Sequence, residues 1–337
     1  MTFARFVATT SICAVVLAAP ASSAQVLKLG SIAPAGSPWD DALKKINNEW
    51  TKVSGGTVSL KIYAGGVAGD EMDMIRKMRM GQLQAAGISG VGLCRIQQTI
   101  LNVQLPLLIR TDEELVYVLD KMKPSFTKSI EEKGFRVIVW SVVGWACFFS
   151  KTPVVNPDDL KKQRLFVYAG DDDAVQTWKQ LGFHPIPLVI TDLMSSLQGG
   201  MVDAFTTTPL SAASYQWFGL APNMCGMKWA PLLGGIVVTT AAWNKIPVEL
   251  RDKLQSSAET IGVSMQSEID KADAQAIEVM KQYGLKISTV PPETEAKWKA
   301  DVDKAMPTLY GKSLDKGVFD EINKHLAEFR SMKSSRK

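Results

Sequence analysis

Residues 158–209 read DDLKKQRLFVYAGDDDAVQTWKQLGFHPIPLVITDLMSSLQGGMVDAFTTTP, and this stretch decides the fold. It divides into apolar runs and segments with a helical pattern: 165–168, 172–181, 185–190, 191–198 and a last run that ends at Thr206. Strand, helix, strand, helix, strand at such short spacing predicts an α/β layer built on parallel strands.

In parallel sheets a ligand sits beyond the carboxyl ends of the strands, so residues 168–171 and 206–209 are predicted pocket edges. Tyr168 is a candidate pocket wall. Thr207 and Thr208 are candidates for hydrogen bonds to a ligand, although turns also favour threonine followed by proline. Asp171 is a candidate partner for a ligand hydroxyl or amine.

The run Asp171, Asp172 and Asp173 allows two interpretations. Three carboxylates offer the hard oxygen ligands that suit Ca²⁺. The favoured interpretation is an N-cap followed by two acids in the first helical turn, where the helix dipole stabilises negative charge.

The composition indicates a soluble globular protein that is exported from the cytoplasm. The 337 residues allow two domains, and hydrophobic and charged contents of 46% and 21% are ordinary. A net charge of +4, without a dense basic stripe outside the tail 333–337, argues against a nucleic-acid partner. Arg5, the apolar run 12–19 and the small residues before Ala24 predict a signal peptide that is cleaved near Ala24.

The predicted mature chain keeps three cysteines, Cys94, Cys147 and Cys225, and their spacing is not that of a metal site. Buried free thiols are the favoured interpretation, with one disulfide as the alternative. No pattern calls for a cofactor or a metal.

The segments on either side of the central stretch extend the same architecture. Residues 26–88 alternate as β-α-β-α-β, a doubly wound half, with Ser37 and Pro38 as the start of its first helix. Residues 249–282 carry a continuous helical pattern. At 1.5 Å per residue such a helix is roughly 50 Å long, enough to lie across two lobes.

The mature sequence resembles the periplasmic solute-binding subunits of tripartite ATP-independent periplasmic (TRAP) transporters, the DctP-like family. The residues that carry the resemblance are spread along the chain in the family's order: Leu29-Gly30, Ser37-Pro38-Trp39, Tyr63-Ala64-Gly65, residues 105–108, Pro157-Asp158-Asp159-Leu160-Lys161 and residues 197–204.

The resemblance implies a two-lobed α/β periplasmic binding protein with mixed sheets and a long helix spanning both lobes. Lobe I is expected to comprise residues 25–150 with about 230–260. Lobe II is expected to comprise 151–229 with about 261–337. The resemblance also implies a membrane permease as partner and, in some relatives, a tetratricopeptide-repeat protein.

One departure from the family pattern concerns the ligand. Common members carry an arginine on the strand after the Asp-Leu-Lys segment, where it holds a substrate carboxylate; the aligned residue here is Phe166. Arg164 lies on the same face by parity, so a bulge would bring it into that position. Losing the guanidinium removes a strong, orienting contact for a carboxylate, and an aromatic ring favours apolar or flat surfaces instead.

Aromatic residues occur near the other predicted edges of the cleft. Trp145 is a candidate apolar wall, while Trp39, Trp217 and Trp229 are candidates either for the cleft or for the lobe cores. We therefore expect a rather apolar or aromatic ligand, with a monocarboxylate held by hydroxyl and backbone N–H groups as an open alternative.

The resulting functional hypothesis is a non-enzymatic periplasmic binding protein that closes two lobes around a small organic solute. The alternative from another class is a secreted hydrolase on the same scaffold. That alternative is weak because the sequence has no GxSxG motif and only two histidines, His184 and His325, both predicted at the surface.

Overall fold

The computed structural model describes residues 24–335, so the predicted signal peptide, apart from Ala24, lies outside the described residues. Ten strands are present in this part of the chain: β1 Gln25–Ser31, β2 Val58–Tyr63, β3 Ala85–Ser89, β4 Phe135–Ser150, β5 Arg164–Tyr168, β6 His184–Leu188, β7 Ala204–Thr207, β8 Asn223–Cys225, β9 Ala230–Thr239 and β10 Lys286–Ser288.

Twelve α-helices accompany these strands within residues 24–335: α1 Pro38–Val53, α2 Glu71–Arg79, α3 Gly90–Ile96, α4 Asp112–Glu132, α5 Pro157–Leu160, α6 Asp172–Gln180, α7 Leu193–Gln198, α8 Pro209–Ser214, α9 Thr240–Trp243, α10 Val248–Gln282, α11 Pro292–Leu309 and α12 Lys316–Ser334. Short 3₁₀ helices occur at Gln98–Gln104, Ile190–Asp192 and Trp217–Gly219. None of the described helices is long and apolar enough to cross a membrane.

The strands form two half-sheets that share β4. The path runs β2-β1-β3-β9-β4-β7-β5-β6, with β8 paired to β4 and to β10. β1 is parallel to β2 and β3, whereas β9 is antiparallel to β3 and β4. This mixture of parallel and antiparallel pairs agrees with the predicted mixed sheets and two-lobed α/β class.

A single 16-residue strand, β4, connects the two half-sheets. The first part of β4 pairs with β9, and residues 147–150 pair with β7. Its register shifts between Val142 and Gly144, where Gly144 has φ +134, a conformation that L side chains rarely adopt. The irregularity lies close to residues 146–147, where the pairing of β4 changes from β9 to β7.

The central stretch folds as its sequence predicts, in the order β5, α6, β6, α7, β7. β5 is parallel to both β6 and β7. Asp171 is the N-cap of α6, because its carboxylate accepts a hydrogen bond from the Ala174 N–H at 3.2 Å. The capping interpretation of the aspartate run is therefore confirmed. No group of residues that could hold a metal ion occurs among the described residues.

The predicted β-α-β-α-β order at the N-terminus is confirmed as β1, α1, β2, α2, β3. Ser37 caps α1 by accepting from the Asp40 N–H, and Pro38 occupies the first helical position. Trp50, on the buried face of α1, donates its indole N–H to Leu254 O of α10 at 2.9 Å. The helix thereby connects the first half-sheet to the long helix.

The long helix α10 runs along both halves of the molecule. Near its start, Gln255 donates to Ile138 O in β4 at 3.0 Å. Farther along, Gln266 exchanges two hydrogen bonds with the Val142 backbone, and Asp273 accepts from the Leu210 N–H of α8 at 2.8 Å. The predicted helix across both lobes is confirmed by these contacts.

The three cysteines of the described chain are free. Cys147 packs in the cluster that contains Phe149 and Phe205, whereas Cys225 packs with Phe148 and Trp298. Burial raises the pKa of the Cys147 thiol to about 12, so it stays protonated and behaves as a small apolar group. The free-thiol interpretation is confirmed.

Candidate functional site

A cavity of about 170 Å³ lies between the two half-sheets, and we call it the cleft cavity. The carboxyl ends of four strands reach it, through Ser31 of β1, residues 87–89 of β3, Tyr168 of β5 and Thr207 of β7. Met265 of α10 closes one side. The sheet topology therefore places the cavity where parallel α/β sheets hold ligands.

Contacts between the two halves enclose the cleft cavity. The Tyr215 hydroxyl donates to Ile32 O at 2.6 Å and joins the end of α8 to the end of β1. Gly66, in the loop after β2, lies so close to Thr191 of the other half that a Cβ atom added to the glycine would be 3.4 Å from the Thr191 Cγ2 atom. The two halves thus touch around the cavity, as in a closed clamshell.

The lining of the cleft cavity combines apolar surface with hydroxyl groups. No Asp, Glu, Lys, Arg or His side chain of the described residues lines it. Its polar side chains are Ser31, Ser89, Ser141, Tyr168, Thr206, Thr207, Ser211 and Tyr215, besides the indole of Trp39. Burial raises the pKa values of the Tyr168 and Tyr215 hydroxyls, so both remain neutral.

Four of the residues predicted from the sequence line the cleft cavity: Trp39, Tyr168, Thr207 and Trp217. The Trp39 indole N–H is buried and has no acceptor among the described residues, which leaves a donor for a ligand oxygen. Trp217 is 4% exposed and stacks on Tyr215 with 4.3 Å between ring centroids. It belongs to the core and to the cavity wall at once.

Three other predicted residues, Phe166, Asp171 and Trp229, line a second cavity of about 260 Å³, which we call the aromatic cavity. It lies between β5, α6, α11 and the segment 101–106. Phe166 is 4% exposed, and its ring centroid is 5.0 Å from that of Tyr168. Tyr168 borders both cavities.

Trp145 and Thr208 line neither cavity. Trp145 donates its indole N–H to Asp112 at 2.6 Å, and the Lys228 ammonium lies 4.9 Å from its ring centroid. Thr208 is fully buried and caps α8, accepting from the Ser211 N–H at 3.2 Å. Both side chains are thus used in structural contacts.

Arg164 is held at the other end of β5 from the cleft cavity. Its Nε and Nη2 atoms donate to the Asp203 carboxylate at 2.6 and 2.8 Å, and this hydrogen bonding lowers the pKa of Asp203. β5 pairs with β6 residue for residue, without a bulge that would shift its register. Arg164 therefore has an acidic partner of its own and stays out of the cleft.

A buried carboxylate stands behind the wall of the cleft cavity. Glu71 is 3% exposed and accepts hydrogen bonds from the backbone N–H of Ser89, from the Ser89 hydroxyl at 2.8 Å and from the Gly92 N–H at 3.1 Å. Burial raises the pKa of Glu71. Its negative charge contributes to the raised pKa values of Tyr168 and Tyr215, so its field reaches the cavity wall.

Sequence reasoning missed the contribution of β9, whose residues 234–236 line the cleft cavity. A Cβ on Gly235 would lie 2.8 Å from Val139 O, and one on Gly234 would lie 3.3 Å from Ile88 O. The signal was present as two glycines inside a β-branched run, which often marks a close approach of the backbone.

Comparisons with known proteins agree on one family of solute-binding proteins. The family model "Bacterial extracellular solute-binding protein, family 7" (DctP) matches residues 29–313. The 2,3-diketo-L-gulonate-binding periplasmic protein YiaO of Escherichia coli K12 is 23% identical over 253 residues, which are 74% of this chain and 76% of YiaO.

Two solved structures show the same fold at low sequence identity. A TRAP periplasmic solute-binding protein from Xanthobacter autotrophicus with bound β-D-galacturonate is 20% identical, with a TM-score of 0.82. One from Desulfovibrio salexigens with bound orotic acid is 16% identical, with a TM-score of 0.83. The first match covers 89% of this chain and the second 90%, and each covers 99% of the solved chain.

Proposed function

The chain belongs to the DctP family of bacterial extracellular solute-binding proteins, and from that premise we propose that it captures a small, uncharged and rather apolar or aromatic solute in the cleft cavity. The family consists of periplasmic transport proteins, not enzymes, whose TRAP members work with membrane permease subunits. Family membership leaves the hydrolase alternative without support.

The observation that carries the ligand class is the absence of charged side chains from the lining formed by residues 24–335. A carboxylate taken out of water needs a positive partner or several hydrogen-bond donors to offset its desolvation. The buried Glu71 carboxyl group lies behind the cavity wall, and in its ionised form it would oppose a second anion. An uncharged ligand avoids both costs.

The solved relatives do not support an uncharged ligand, because the two structures named above contain bound acids. A monocarboxylate bound by hydroxyl groups is the alternative. The hydroxyls of Thr206, Thr207 and Ser141 favour it, since several neutral donors together can replace one guanidinium.

We assign the direct ligand contacts to Trp39, Tyr168, Thr207 and Trp217. Trp39 and Thr207 would supply hydrogen bonds, and the rings of Tyr168 and Trp217 would supply apolar walls. Closure of the two lobes at β4, near Gly144, would bury the ligand before delivery to the permease. A tetratricopeptide-repeat partner is also part of the proposal and rests on the sequence resemblance alone.

Thermal-shift measurements on the mature protein test the ligand class. Benzamide, a small neutral aromatic probe, is expected to raise the melting temperature, and succinate is not; a ligand at 100 times its Kd adds about 2.7 kcal/mol of stability. Thr207→Val removes one hydroxyl at nearly constant volume and should weaken benzamide binding about fivefold, the equivalent of one neutral hydrogen bond.

Thr260→Val is the matched control, because Thr260 is an exposed residue of α10 away from the cavity. It should leave benzamide binding unchanged. Strong stabilisation by succinate, with none by benzamide, would overturn the proposed ligand class. Mass spectrometry of material released on denaturation checks the binding role, since an intact small molecule is expected and steady turnover would contradict it.

A further inference from the structure

The aromatic cavity has walls unlike those of a simple packing defect. Four rings form one cluster beside it: Trp178, Phe183, Trp229 and Trp298. Trp178 stacks on Trp229 at 6.0 Å with an interplanar angle of 29°, and Phe183 stacks on Trp298 at 6.3 Å with an angle of 16°. These flat faces bound an open space of about 260 Å³.

Two acidic side chains border the aromatic cavity, but each already has a partner. Asp171 is bound to the Ala174 N–H as the cap of α6. Asp301 lies 3.8 Å from the Lys161 ammonium. No Lys, Arg or His side chain of the described residues lines the cavity. Its free surface therefore suits an uncharged apolar group rather than a cation or an anion.

The aromatic cavity also adjoins the cleft cavity. Tyr168 and Thr206 line both, so the two spaces lie on either side of these residues at the carboxyl ends of β5 and β7. Ligand pockets for small organic molecules usually hold at least about 300 Å³. Neither cavity reaches that volume alone, whereas the two together exceed it.

We propose that the aromatic cavity is a subsite for the apolar end, alkyl or aryl, of the same ligand whose polar end occupies the cleft cavity. Tyr168 and Thr206 form the passage between the two parts. The inference rests on the proposed function, because it assigns the cleft cavity to the ligand. It adds that the ligand is elongated and that one half of it is wholly apolar.

The test uses two neutral probes, benzamide and N-hexylbenzamide, with the mature protein and isothermal titration calorimetry. Ala305 of α11 lines the aromatic cavity and is 8% exposed, so Ala305→Phe fills the space. The matched control is Ala300→Phe, on the exposed side of the same helix. Thr177→Phe, on the opposite wall in α6, repeats the test should the first variant fold poorly.

The wild-type protein should bind N-hexylbenzamide at least tenfold more tightly than benzamide. Filling the aromatic cavity should reduce that ratio below threefold and leave the Kd for benzamide unchanged, while Ala300→Phe should keep the full ratio. A ratio that survives both filling variants, or no gain from the hexyl chain in the wild-type protein, would overturn the subsite alone. Tight binding of succinate, with no binding of benzamide or N-hexylbenzamide, would instead overturn the ligand class of the proposed function.

Discussion

Replacing Asp273 by asparagine should stabilise the protein at neutral pH and leave its stability unchanged in acid. Asp273 lies on α10, and its carboxylate accepts from the Leu210 N–H at 2.8 Å. Burial, with a further contribution from Asp270, raises its pKa from the ordinary 3.8 to about 6, although Leu210 and Lys228 act in the opposite direction. The charged form is therefore disfavoured in the folded protein.

The size of the effect follows from the two pKa values. One pKa unit corresponds to about 1.4 kcal/mol, so the rise from 3.8 to about 6 gives an upper limit of about 3 kcal/mol. Between pH 4 and 6 the folded state binds more protons at this site than the unfolded state. The free energy of unfolding therefore falls as the pH rises through this window and is level above it.

Asparagine keeps an oxygen acceptor for the Leu210 N–H but carries no charge. The variant should match the wild-type protein near pH 4 and exceed its free energy of unfolding by up to about 3 kcal/mol at pH 7. Urea titrations monitored by circular dichroism at pH 4, 5, 6 and 7.5 measure this difference.

Asp252→Asn serves as the control, since Asp252 is an exposed residue near the start of the same helix. It should give the same difference from wild type at every pH. Two results would refute the reasoning: a pH-independent difference for Asp273→Asn, or a variant that is less stable than wild type at pH 7. The second result would mean that the charged hydrogen bond to Leu210 outweighs the cost of burial.

Three further predictions concern the cleft. Gly87→Ala should weaken probe binding about fivefold in calorimetry with an unchanged melting temperature, because the added Cβ lies at the cavity, 3.4 Å or more from protein atoms. Arg164→Ala should lower the free energy of unfolding in urea by at most about 1 kcal/mol, because the Arg164 side chain that pairs with Asp203 is half exposed. The same variant should leave the probe Kd values unchanged. Weaker probe binding would contradict the placement of Arg164 outside the cleft cavity. Tyr215→Phe removes the bond to Ile32 O and should weaken binding about two- to tenfold, with a more open small-angle scattering profile; equal affinity would show that this bond does not hold the lobes closed.

Local sequence signals predicted the elements of this fold well. Ser37 and Asp171 cap their helices as expected, because capping requires only a short side chain and a backbone N–H two or three residues away. The alternation of strands and helices in 158–209 was readable because each element has its own period of apolar residues. Boundaries moved by only a few residues.

The identity of the cavity walls was harder to predict. Trp145 and Tyr168 are both large aromatic residues that were predicted as walls of the cleft, yet only Tyr168 lines the cleft cavity. Trp145 is turned toward Asp112, and Lys228 packs on its ring. A sequence pattern gives the parity of a side chain along a strand, but not the distant residue that meets it.

By itself the sequence determined the α/β class, the order of the elements, the long helix α10 and the resemblance to solute-binding proteins. All of these depend on local periodicity and on motifs in a fixed order. The tertiary structure alone decided that Arg164 pairs with Asp203, that residues 234–236 of β9 line the cleft cavity, and that Tyr168 lines both cavities. These features depend on which distant segments pack together, because a cavity and its charges are properties of several strands at once.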